Sequence, residues 1–356
     1  MKIFIAIFED TIYAQPYVYT YADSLKRMYP NVTFGAIQED FWTDKIFEYD
    51  IVHVMWPNCF ASKIKGGYNL VQRIQEIKDH QIPIVATCHN LHPHDDVRNS
   101  VNEFCYDIVY RNCEVMIHLG ETSKDMLQNT YKQAHHVIIP HHVYDEIFTS
   151  IPTREDSIKM LHLKKDKTYI LAFGAFRSEK ERNLIRNAAR KLNKNIVFLA
   201  PSFYQLSWSP HFIGRNSLRK IILLGKHYFC HKNIIVAGKR CSDQELKYYY
   251  GASKIAFIQR TDILNSGNVP MAYLMGRVVV GPNTGNIAEL LQTYGNPIFN
   301  PMDINSVMSA INEGLLLAEQ NKGKENRDKA LFEISSANIA KMHYQLYKSI
   351  LRKHAN

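Results

Sequence analysis

Two basic side chains stand where a strand pattern gives way to a helix pattern in the second half of the chain. The β-rich run 168–174 ends at Gly174, and Arg177 and Lys180 follow in the loop that opens the next helix. A guanidinium fork and an ammonium at the carboxyl end of a strand suit a diphosphate. Cations beside a helix N-terminus are unfavourable, which favours an anionic ligand over the alternative of two solvated charges.

A second loop, 261–268, follows the predicted strand 254–258 and contains Asp262, Asn265, Ser266 and Gly267. We expect Ser or Asn to cap the helix at about 268–276, and Gly267 to let a phosphate approach the backbone. Free N–H groups and the helix dipole would then form an anion site. The alternative is an ordinary capped helix.

A third loop follows the predicted strand 277–281 and leads to Glu289 on the next helix. The Glu289 carboxylate could accept hydrogen bonds from ribose hydroxyls. Capping of the first helical turn explains it equally well.

Histidines mark the loops of the first half. Strand 83–88 leads into a loop with His89, His92 and His94, and His141 and His142 follow strand 136–139. A zinc site is disfavoured because zinc prefers histidines spaced on a helix or combined with Cys or Glu, and Pro93 interrupts this loop. A histidine beyond a strand end is better read as a hydrogen-bond donor or base for a sugar or leaving group. The alternative for each histidine is a solvated loop residue without a functional role, and we expect it to hold for at least half of them.

Short strand patterns alternate with amphipathic helix patterns along the whole chain, which is typical of α/β structure with parallel sheets. We predict two doubly wound, Rossmann-like βαβ domains in tandem that face a central cleft: residues 1–150, then 151–330, and a C-terminal helix, 331–356, packing back toward the first domain. Segment 143–167 would be the linker, and 325–353 one long amphipathic stretch. The predicted strands are 2–8, 32–36, 51–55, 83–88, 115–119, 136–139, 168–174, 195–200, 233–237, 254–258, 277–281 and 296–299. The predicted helices are 16–29, 67–80, 98–112, 122–131, 179–193, 242–252, 268–276, 286–293 and 303–321.

Composition excludes several classes of protein. The chain has 356 residues, 46% of them apolar and 22% charged, which excludes long disorder. No run approaches the roughly 20 apolar residues that span a bilayer, and residues 2–8 are expected to form a strand and not a signal peptide. The six cysteines form no C-x-x-C pair, so we expect reduced thiols in a cytoplasmic protein.

The charge is unevenly divided between the two halves. Of the net +9, residues 1–150 hold 12 Lys/Arg and 19 Asp/Glu, whereas residues 151–356 hold 31 and 15. A basic second half indicates an anionic ligand, an anionic membrane surface or nucleic acid.

Several motifs, in their order along the chain, resemble retaining GT-B glycosyltransferases of family 4 (glycosyltransferase group 1). Gln15-Pro16-Tyr17 resembles the start of the acceptor-side helix. His53-Val54-Met55-Trp56-Pro57 and the run from Thr87 to His94 resemble "H-x-H-W-P" and "T-x-H-N-x-x-P-H" of one branch. The run from Phe173 to Lys180 resembles "F-G-x-I-R-x-Y-K", and Asn265-Ser266-Gly267 with Gly276-Arg277-Val278-Val279 resembles "S-G…G-x-P-V".

The resemblance implies a nucleotide diphosphate sugar as donor substrate in the second domain and an acceptor on the first. Gly174, Arg177 and Lys180 would hold the diphosphate, and Ser266 and Gly267 would present backbone amides to it. His89 would face the donor sugar, with Gln15, Tyr17, His92, His94 and His141 on the acceptor side. Neither a metal nor another cofactor would be needed, because basic residues and a helix terminus stabilise the leaving diphosphate.

The chain departs from the family at two glutamates, whose equivalents are near Ile263 and Met271. Sugar and ribose contacts would then come from Asp262, Asn265 or Glu289. The family's Gly-Arg after the first strand of the second domain reads Gly174-Ala175, with Arg177 displaced.

The leading hypothesis is a hexosyltransferase that transfers a sugar, with retention of configuration, to a glycan or lipid-linked saccharide in surface polysaccharide or glycolipid synthesis. A catalytically inactive GT-B scaffold that binds a partner enzyme is one alternative, and a nucleotide-sugar epimerase with carboxylates for proton transfer is another. Nucleic-acid binding is disfavoured because no known motif appears.

The segment 217–232 interleaves basic residues, among them Arg219, Lys220 and Lys226, with apolar and aromatic ones, as an interfacial helix does. We predict weak, reversible peripheral binding to anionic membranes, as at the inner face of the plasma membrane, because each cation near an anionic leaflet contributes about 1 kcal/mol. This binding should decrease with salt. Co-sedimentation with anionic and neutral vesicles measures it. Equal recovery with both at low salt, or no change when the three cations become Gln, would leave the segment as ordinary domain structure.

Overall fold

The computed structural model describes residues 1–93, 99–204, 233–237 and 241–355. His94, Cys230 and the predicted membrane segment 217–232 lie outside these residues. The chain divides into two compact units, Met1–Ile147 together with Phe332–Asn356, and Phe148–Leu331. Both are α/β, as the sequence predicts.

The first unit contains a six-stranded sheet in which every strand pair is parallel. Its spatial order is β2-β1-β3-β4-β5-β6. The inner strands are buried on both faces, which explains their nearly continuous apolar sequences. The strands are β1 Lys2–Ala6, β2 Thr33–Gly35, β3 Ile51–Val54, β4 Ile84–Cys88, β5 Val115–His118 and β6 His135–Ile138.

Helices connect these strands. Asn69 and Asn99 cap two of them by accepting backbone N–H bonds, and Pro16 occupies the first turn of another. The helices are α1 Pro16–Met28, α2 Gln38–Trp42, α3 Ala61–Lys65, α4 Leu70–Asp79, α5 Ser100–Asn112 and α6 Glu121–Leu127, with 3-10 turns at Ile12–Ala14, Asp44–Glu48 and Pro57–Phe60. The sequence analysis missed α2, α3 and the 3-10 turns, which are too short to show a helical period.

The second unit repeats the plan with another all-parallel sheet, in the order β12-β11-β10-β7-β8-β9. Its strands are β7 Thr168–Leu171, β8 Ile196–Leu199, β9 Ile234–Ile235, β10 Ile255–Phe257, β11 Val278–Pro282 and β12 Ile298–Phe299. Its helices are α7 Arg154–Met160, α8 Glu179–Lys191, α9 Asp243–Ala252, α10 Asn268–Leu274, α11 Gly285–Thr293, α12 Ile304–Glu319 and α13 Lys322–Glu333; the last helix of the chain is α14 Ser336–His354.

Two predictions of local structure differ from the observed elements. The boundary between the two units, after Ile147, falls within the expected linker 143–167, but this segment also contains α7, whose first turn is capped by Thr153 through the N–H of Asp156 at 3.1 Å. The stretch 325–353 is not one helix, because α13 ends at Glu333 and a new helix, α14, begins at Ser336 with Ser335 as its N-cap residue.

Helix α14 belongs to the first unit and packs on α1. The rings of Tyr29 and Tyr344 stack with centroids 3.6 Å apart. At the start of α14 the backbone N–H of Ser336 donates to Asp145 at 3.0 Å, and its hydroxyl donates to the carbonyl of Val143 at 3.1 Å. No helix among the described residues is long and apolar enough to cross a membrane.

Hydrogen bonds of two buried asparagines, Asn326 and Asn296, join helix α13 to the start of β11. The amide of Asn326 donates to the carbonyl of Arg277 at 3.1 Å and to Asn296 at 2.9 Å, and Asn296 accepts the N–H of Val279. Gly323 lies so close to this strand that a Cβ on it would be 2.2 Å from the carbonyl oxygen of Gly276.

We expect Gly323→Ala to destabilise the protein by roughly 1–3 kcal/mol, because the added methyl must displace backbone. The sign is informative, since Gly→Ala inside a helix ordinarily stabilises by about 0.5–1 kcal/mol. Urea unfolding measures the change, with Lys324→Ala in the same turn as control because its side chain is exposed. A stabilised Gly323→Ala would contradict the close packing of α13.

Candidate functional site

In the second sheet, β8 and β9 follow β7 on one side, whereas β10, β11 and β12 lie on its other side. The strand order therefore reverses between β7 and β10, which are hydrogen-bonded neighbours. The loops that follow them, 172–178 and 258–267, therefore leave the same edge of the sheet and turn to opposite sides. In open parallel sheets this is where ligands bind. The residues predicted to hold a diphosphate lie in these two loops or directly after them.

Backbone and amide groups join the two loops. Asn268 donates from its side-chain amide to the carbonyl of Phe173 at 2.8 Å. The amide of Gln259, which is 1% exposed, reaches the carbonyls of Phe173 and Gly174 at 3.3 and 3.4 Å. Gly174 has φ +101°, and a Cβ there would lie 2.7 Å from the Asn268 amide nitrogen. A glycine is therefore required at 174 both by conformation and by space.

The loop after β11 joins the same edge. Asn286 donates from its amide to the side chain of Asn265 at 2.7 Å and from its backbone to the carbonyl of Leu264 at 2.9 Å. Gly285 has φ +54° and fits tightly against the carbonyls of residues 263 and 264. Glu289, half-buried, follows Asn286 by three positions on α11 and so lies on the same side of that helix.

The expected capping of α10 is wrong in detail. Gly267, and not a serine or asparagine, is the N-cap residue, and no side chain caps the helix from that position. The Ser266 hydroxyl instead accepts the N–H of Asn268 at 3.4 Å. Asn268, which the sequence analysis passed over, bonds to the loop after β7.

Arg177 and Lys180 flank the start of α8 with exposed side chains. Ser178 caps this helix by accepting the N–H of Glu181 at 3.3 Å. Glu179 bonds to Arg182 at 2.7 Å and to Arg186, and these guanidinium groups lower the pKa of its carboxyl. Among the described residues, neither the Arg177 nor the Lys180 side chain forms an ion pair, so both charges remain available to an anion.

Glu181 links the loop that holds Arg177 to the loop after β10. Its carboxylate accepts the backbone N–H of Arg177 at 2.8 Å and lies 3.8 Å from the guanidinium of Arg260. Both charged side chains are largely buried, 7% and 13% exposed, so this pair is screened little by solvent. Asp262, predicted to contact the donor, is exposed on the same loop.

In the first unit, the ring of Tyr17 on α1 is the centre of a second cluster. The His89 ring contacts Tyr17 edge-on at 4.6 Å and stacks on Trp56 at 4.7 Å. Tyr17 also contacts His141 at 4.7 Å and stacks on His142 at 4.9 Å. Three predicted acceptor-side or catalytic residues, Tyr17, His89 and His141, are therefore neighbours although they come from three separate parts of the chain.

The cluster continues into the unit through residues that the sequence analysis did not single out as functional. His53 on β3 bonds to the hydroxyls of Tyr347 at 2.7 Å and Thr87 at 2.8 Å. His343 on α14 stacks on Tyr21 at 4.4 Å, and neither of its buried ring nitrogens has a hydrogen-bond partner among the described residues. His53 stood in a motif of the family resemblance, whereas nothing in the sequence pointed to His343.

Burial keeps these histidines uncharged. It lowers the pKa of His89 to about 3, with a smaller contribution from the charge of His142, and it lowers that of His343 to about 3 as well. The pKa values of His53 and His141 fall well below the ordinary range, and that of His142 is lowered, chiefly for the same reason. At neutral pH the cluster therefore offers neutral hydrogen-bonding groups and no positive charge.

Gln15 and His92, the other predicted acceptor-side residues that the structure describes, are not among the ring contacts of this cluster. Gln15 donates from its amide to the carboxylate of Glu9 at 2.8 Å. His92 is exposed. In the described parts of the chain, no three His, Cys, Asp or Glu side chains converge as a metal site requires, and no disulfide joins the five cysteines there.

No model of a known protein family and no curated protein sequence matches the chain. Solved structures do match over its full length. Sucrose-phosphate synthase from Thermosynechococcus elongatus has 16% identity and a TM-score of 0.68, with 99% of this chain and 100% of that one covered. HepE from Anabaena, in complex with UDP, has 12% identity and a TM-score of 0.69, covering 98% and 100%. An E. coli trehalose-6-phosphate protein bound with UDP-2-fluoro glucose has 13% identity and a TM-score of 0.63, covering 98% and 99%. These likenesses show that the fold is that of the GT-B class.

The buried histidines predict acid sensitivity. A pKa lowered from 6.5 means that the unfolded chain binds protons that the folded one does not, so stability is present above pH 6.5 and is lost as pH falls toward 3. We expect His343→Phe, which keeps the stack on Tyr21, to remove about 1.4 kcal/mol per pH unit from the slope of unfolding free energy below pH 6.5. Urea unfolding at pH 7, 6 and 5 measures this slope.

Met342→Leu on the same helix is the control, because it changes packing without removing a titrating group. A slope unchanged in His343→Phe relative to this control would contradict the lowered pKa of His343.

Proposed function

We propose that the protein is a hexosyltransferase that moves a sugar from a nucleotide diphosphate sugar to a glycan or lipid-linked saccharide, with retention of configuration, in surface polysaccharide or glycolipid synthesis. It acts from the cytoplasm, at the inner face of the membrane that carries the acceptor. Neither a metal nor another cofactor takes part.

One observation carries the proposal. The loops after β7 and β10 are joined at the switch point of the second sheet. Two cations, Arg177 and Lys180, lie beside the glycine-containing turn after β7, and neither forms an ion pair with a described residue. Arg177 and Lys180 bind the diphosphate as it gains negative charge on leaving. The backbone at Ser266 and Gly267 adds N–H donors from the opposite loop, while Asn265, Asp262 and Glu289 bind ribose and sugar hydroxyls. Donors that are already positioned where charge develops stabilise the transition state without reorganisation.

The structural neighbours support the choice of donor class. HepE has been solved with UDP, with UDP and glucose, and with UDP-glucose. UDP-glucose is therefore the first donor to test. The basic composition of residues 151–356 also suits an anionic donor.

The first unit supplies the acceptor groups in this proposal. His89 acts as a neutral hydrogen-bonding group toward the transferred sugar, because a base whose conjugate acid has a pKa of about 3 accepts protons poorly at pH 7. Tyr17 and His141, which contact or neighbour that ring, position it, and Gln15, His92 and His94 are the further acceptor-side residues.

A panel of nucleotide sugars tests the function as a whole. Thermal stabilisation by one of them, followed by its hydrolysis or transfer to a saccharide acceptor, is the expected result. A protein that is stabilised by none of the panel and turns none over contradicts the proposal.

The diphosphate assignment predicts that Arg177→Ala or Lys180→Ala weakens donor binding and turnover about tenfold or more, since a charge-assisted bond contributes roughly 1.5–3 kcal/mol. Calorimetric binding and steady-state kinetics measure the two effects. Lys191→Ala with Lys194→Ala is the matched control, because both are exposed lysines of the same unit. Unchanged kinetics in a folded Arg177→Ala/Lys180→Ala double variant would remove the assignment.

For His89 we expect a split between binding and turnover. His89→Ala should lower kcat far more than it lowers nucleotide affinity, because its hydrogen bond serves the reacting sugar and not the nucleotide. His135→Ala is the control, as an exposed histidine of the same unit. Full activity in His89→Ala with loss in His94→Ala would mean that a different histidine of this loop acts.

A second candidate, an inactive GT-B scaffold that binds a partner enzyme, is favoured by one observation. The positions where the family carries glutamates are the half-buried Ile263 and the buried Met271, neither of which can bind a sugar hydroxyl. Nucleotide-sugar binding without any hydrolysis or transfer, across the donor and acceptor panel, would select this function.

A further inference from the structure

A cavity of about 380 Å³ lies at the opposite edge of the second sheet, where β7, β10 and β11 begin. We call it the amino-edge pocket. Four cationic residues line it, Arg154, Lys254, Arg277 and Lys324, and no acidic residue does so in the described part of the chain. It is separate from the proposed donor site, which lies at the carboxyl ends of the same strands.

Arg277 is the group that most needs a partner. Its Nε atom is buried and has no hydrogen-bond acceptor among the described residues. Burial lowers its pKa to about 10, with no carboxylate contributing an opposite effect. A buried guanidinium normally has a counter-ion, because an uncompensated charge costs several kcal/mol. In the part of the chain that the structure describes, this cation is thus held in place without an anionic partner.

Helix ends explain only part of this accumulation of positive charge. Helices that follow parallel strands end at the amino edge of the sheet, and their free carbonyls attract Lys and Arg. Lys254 and Arg277 do follow the ends of α9 and α10. Arg154 is satisfied in a related way, by the carbonyls of Lys165 and Lys167 at 3.2 and 2.9 Å. The Nε atom of Arg277 has no such acceptor within residues 1–93, 99–204, 233–237 and 241–355.

One helix points the other way. Helix α13 follows α12 directly, without a strand between them, so its N-terminus lies at this edge and Asn321, Gly323 and Lys324 line the pocket. A helix N-terminus favours an anion and adds N–H donors to the four cations. The hydrogen bonds that the Asn326 amide donates to Asn296 and to the carbonyl of Arg277 hold this end of the helix in position.

We propose that the amino-edge pocket binds the phosphate groups of a phosphorylated molecule, with Arg277, whose Nε atom is buried, Lys254 and Lys324 as the cationic contacts. The volume accommodates a phosphorylated sugar or a diphosphate group. This site is independent of the proposed transferase activity.

Pyrophosphate is the probe, and calorimetry at low salt is the measurement. The full-length Arg177→Gln/Lys180→Gln variant provides the background, since it weakens binding at the donor side. We expect pyrophosphate to bind this variant, and the further changes Lys254→Gln and Lys324→Gln to weaken binding about tenfold or more. Lys191→Gln/Lys194→Gln, added to the same background, is the control with the same change of charge in the same unit.

Two results would overturn the proposal: binding unchanged by Lys254→Gln/Lys324→Gln, or binding weakened as much by the control pair. Arg277→Met is a second test, expected to abolish the rise in Tm that pyrophosphate gives; if that variant does not fold, the lysine pair still decides. UDP-glucose binding by Lys254→Gln/Lys324→Gln in the wild-type background reports on the donor site separately.

The source of the phosphate group is decided by vesicles of phosphatidic acid in phosphatidylcholine. Recruitment of the wild type that Lys254→Gln/Lys324→Gln abolishes assigns the site to a lipid headgroup. Binding of free pyrophosphate without pocket-dependent recruitment assigns it to a soluble molecule.

Discussion

The hydrogen bond from the Asn268 amide to the Phe173 carbonyl sets the geometry of the second unit's site. It joins the two loops that leave the sheet on either side of its switch point, and it requires Gly174 to be a glycine with φ +101°. Arg177 follows three residues after Gly174, and Ser266 precedes Asn268 by two. One contact therefore determines where a charged loop and a helix terminus lie relative to each other, and Glu181 beside Arg260 supports it from the other side.

In the first unit, ring contacts and not loop hydrogen bonds hold the candidate cluster together. Tyr17 gathers His89, His141 and His142 by ring contacts, and burial makes all three neutral. A cluster of this kind can exchange hydrogen bonds with hydroxyl groups, but it does not attract anions. The second unit instead has exposed cationic side chains, Arg177 and Lys180. The division of charge along the sequence, acidic before residue 150 and basic after it, thus corresponds to two chemically different candidate clusters, one in each unit.

Local signals were enough to predict some of this arrangement. The strand-to-helix transition at Gly174 identified Arg177 and Lys180, because strand, loop and helix are adjacent in sequence. Gln259 could also have been found, since it is a polar residue directly after a buried strand. The role of Asn268 depends on the pairing of β7 with β10, and strand order is not written in either segment. His343 enters the first unit's cluster from a helix far along the chain, and no periodicity in α14 distinguishes it from a core residue.

The two edges of the second sheet differ for a reason that lies in chain direction. A helix that returns from a parallel strand places its N-terminus at the carboxyl edge and its carbonyls at the amino edge, so anions normally belong to the first and cations to the second. Cations at the amino edge are therefore expected, provided that each of them has a hydrogen-bond acceptor there. Helix α13 interrupts the rule because it follows another helix, and it brings N–H donors to an edge already supplied with Arg154, Lys254, Arg277 and Lys324. A helix N-terminus and cations repel each other, so this arrangement is stable only where water or an anion offsets the positive charge. Among the described residues, no acceptor does so at the buried Nε of Arg277. Helix α10 begins at the carboxyl edge, directly after the loop 258–267, and ends two residues before Gly276 at the amino edge, so it connects the two edges as the strands do.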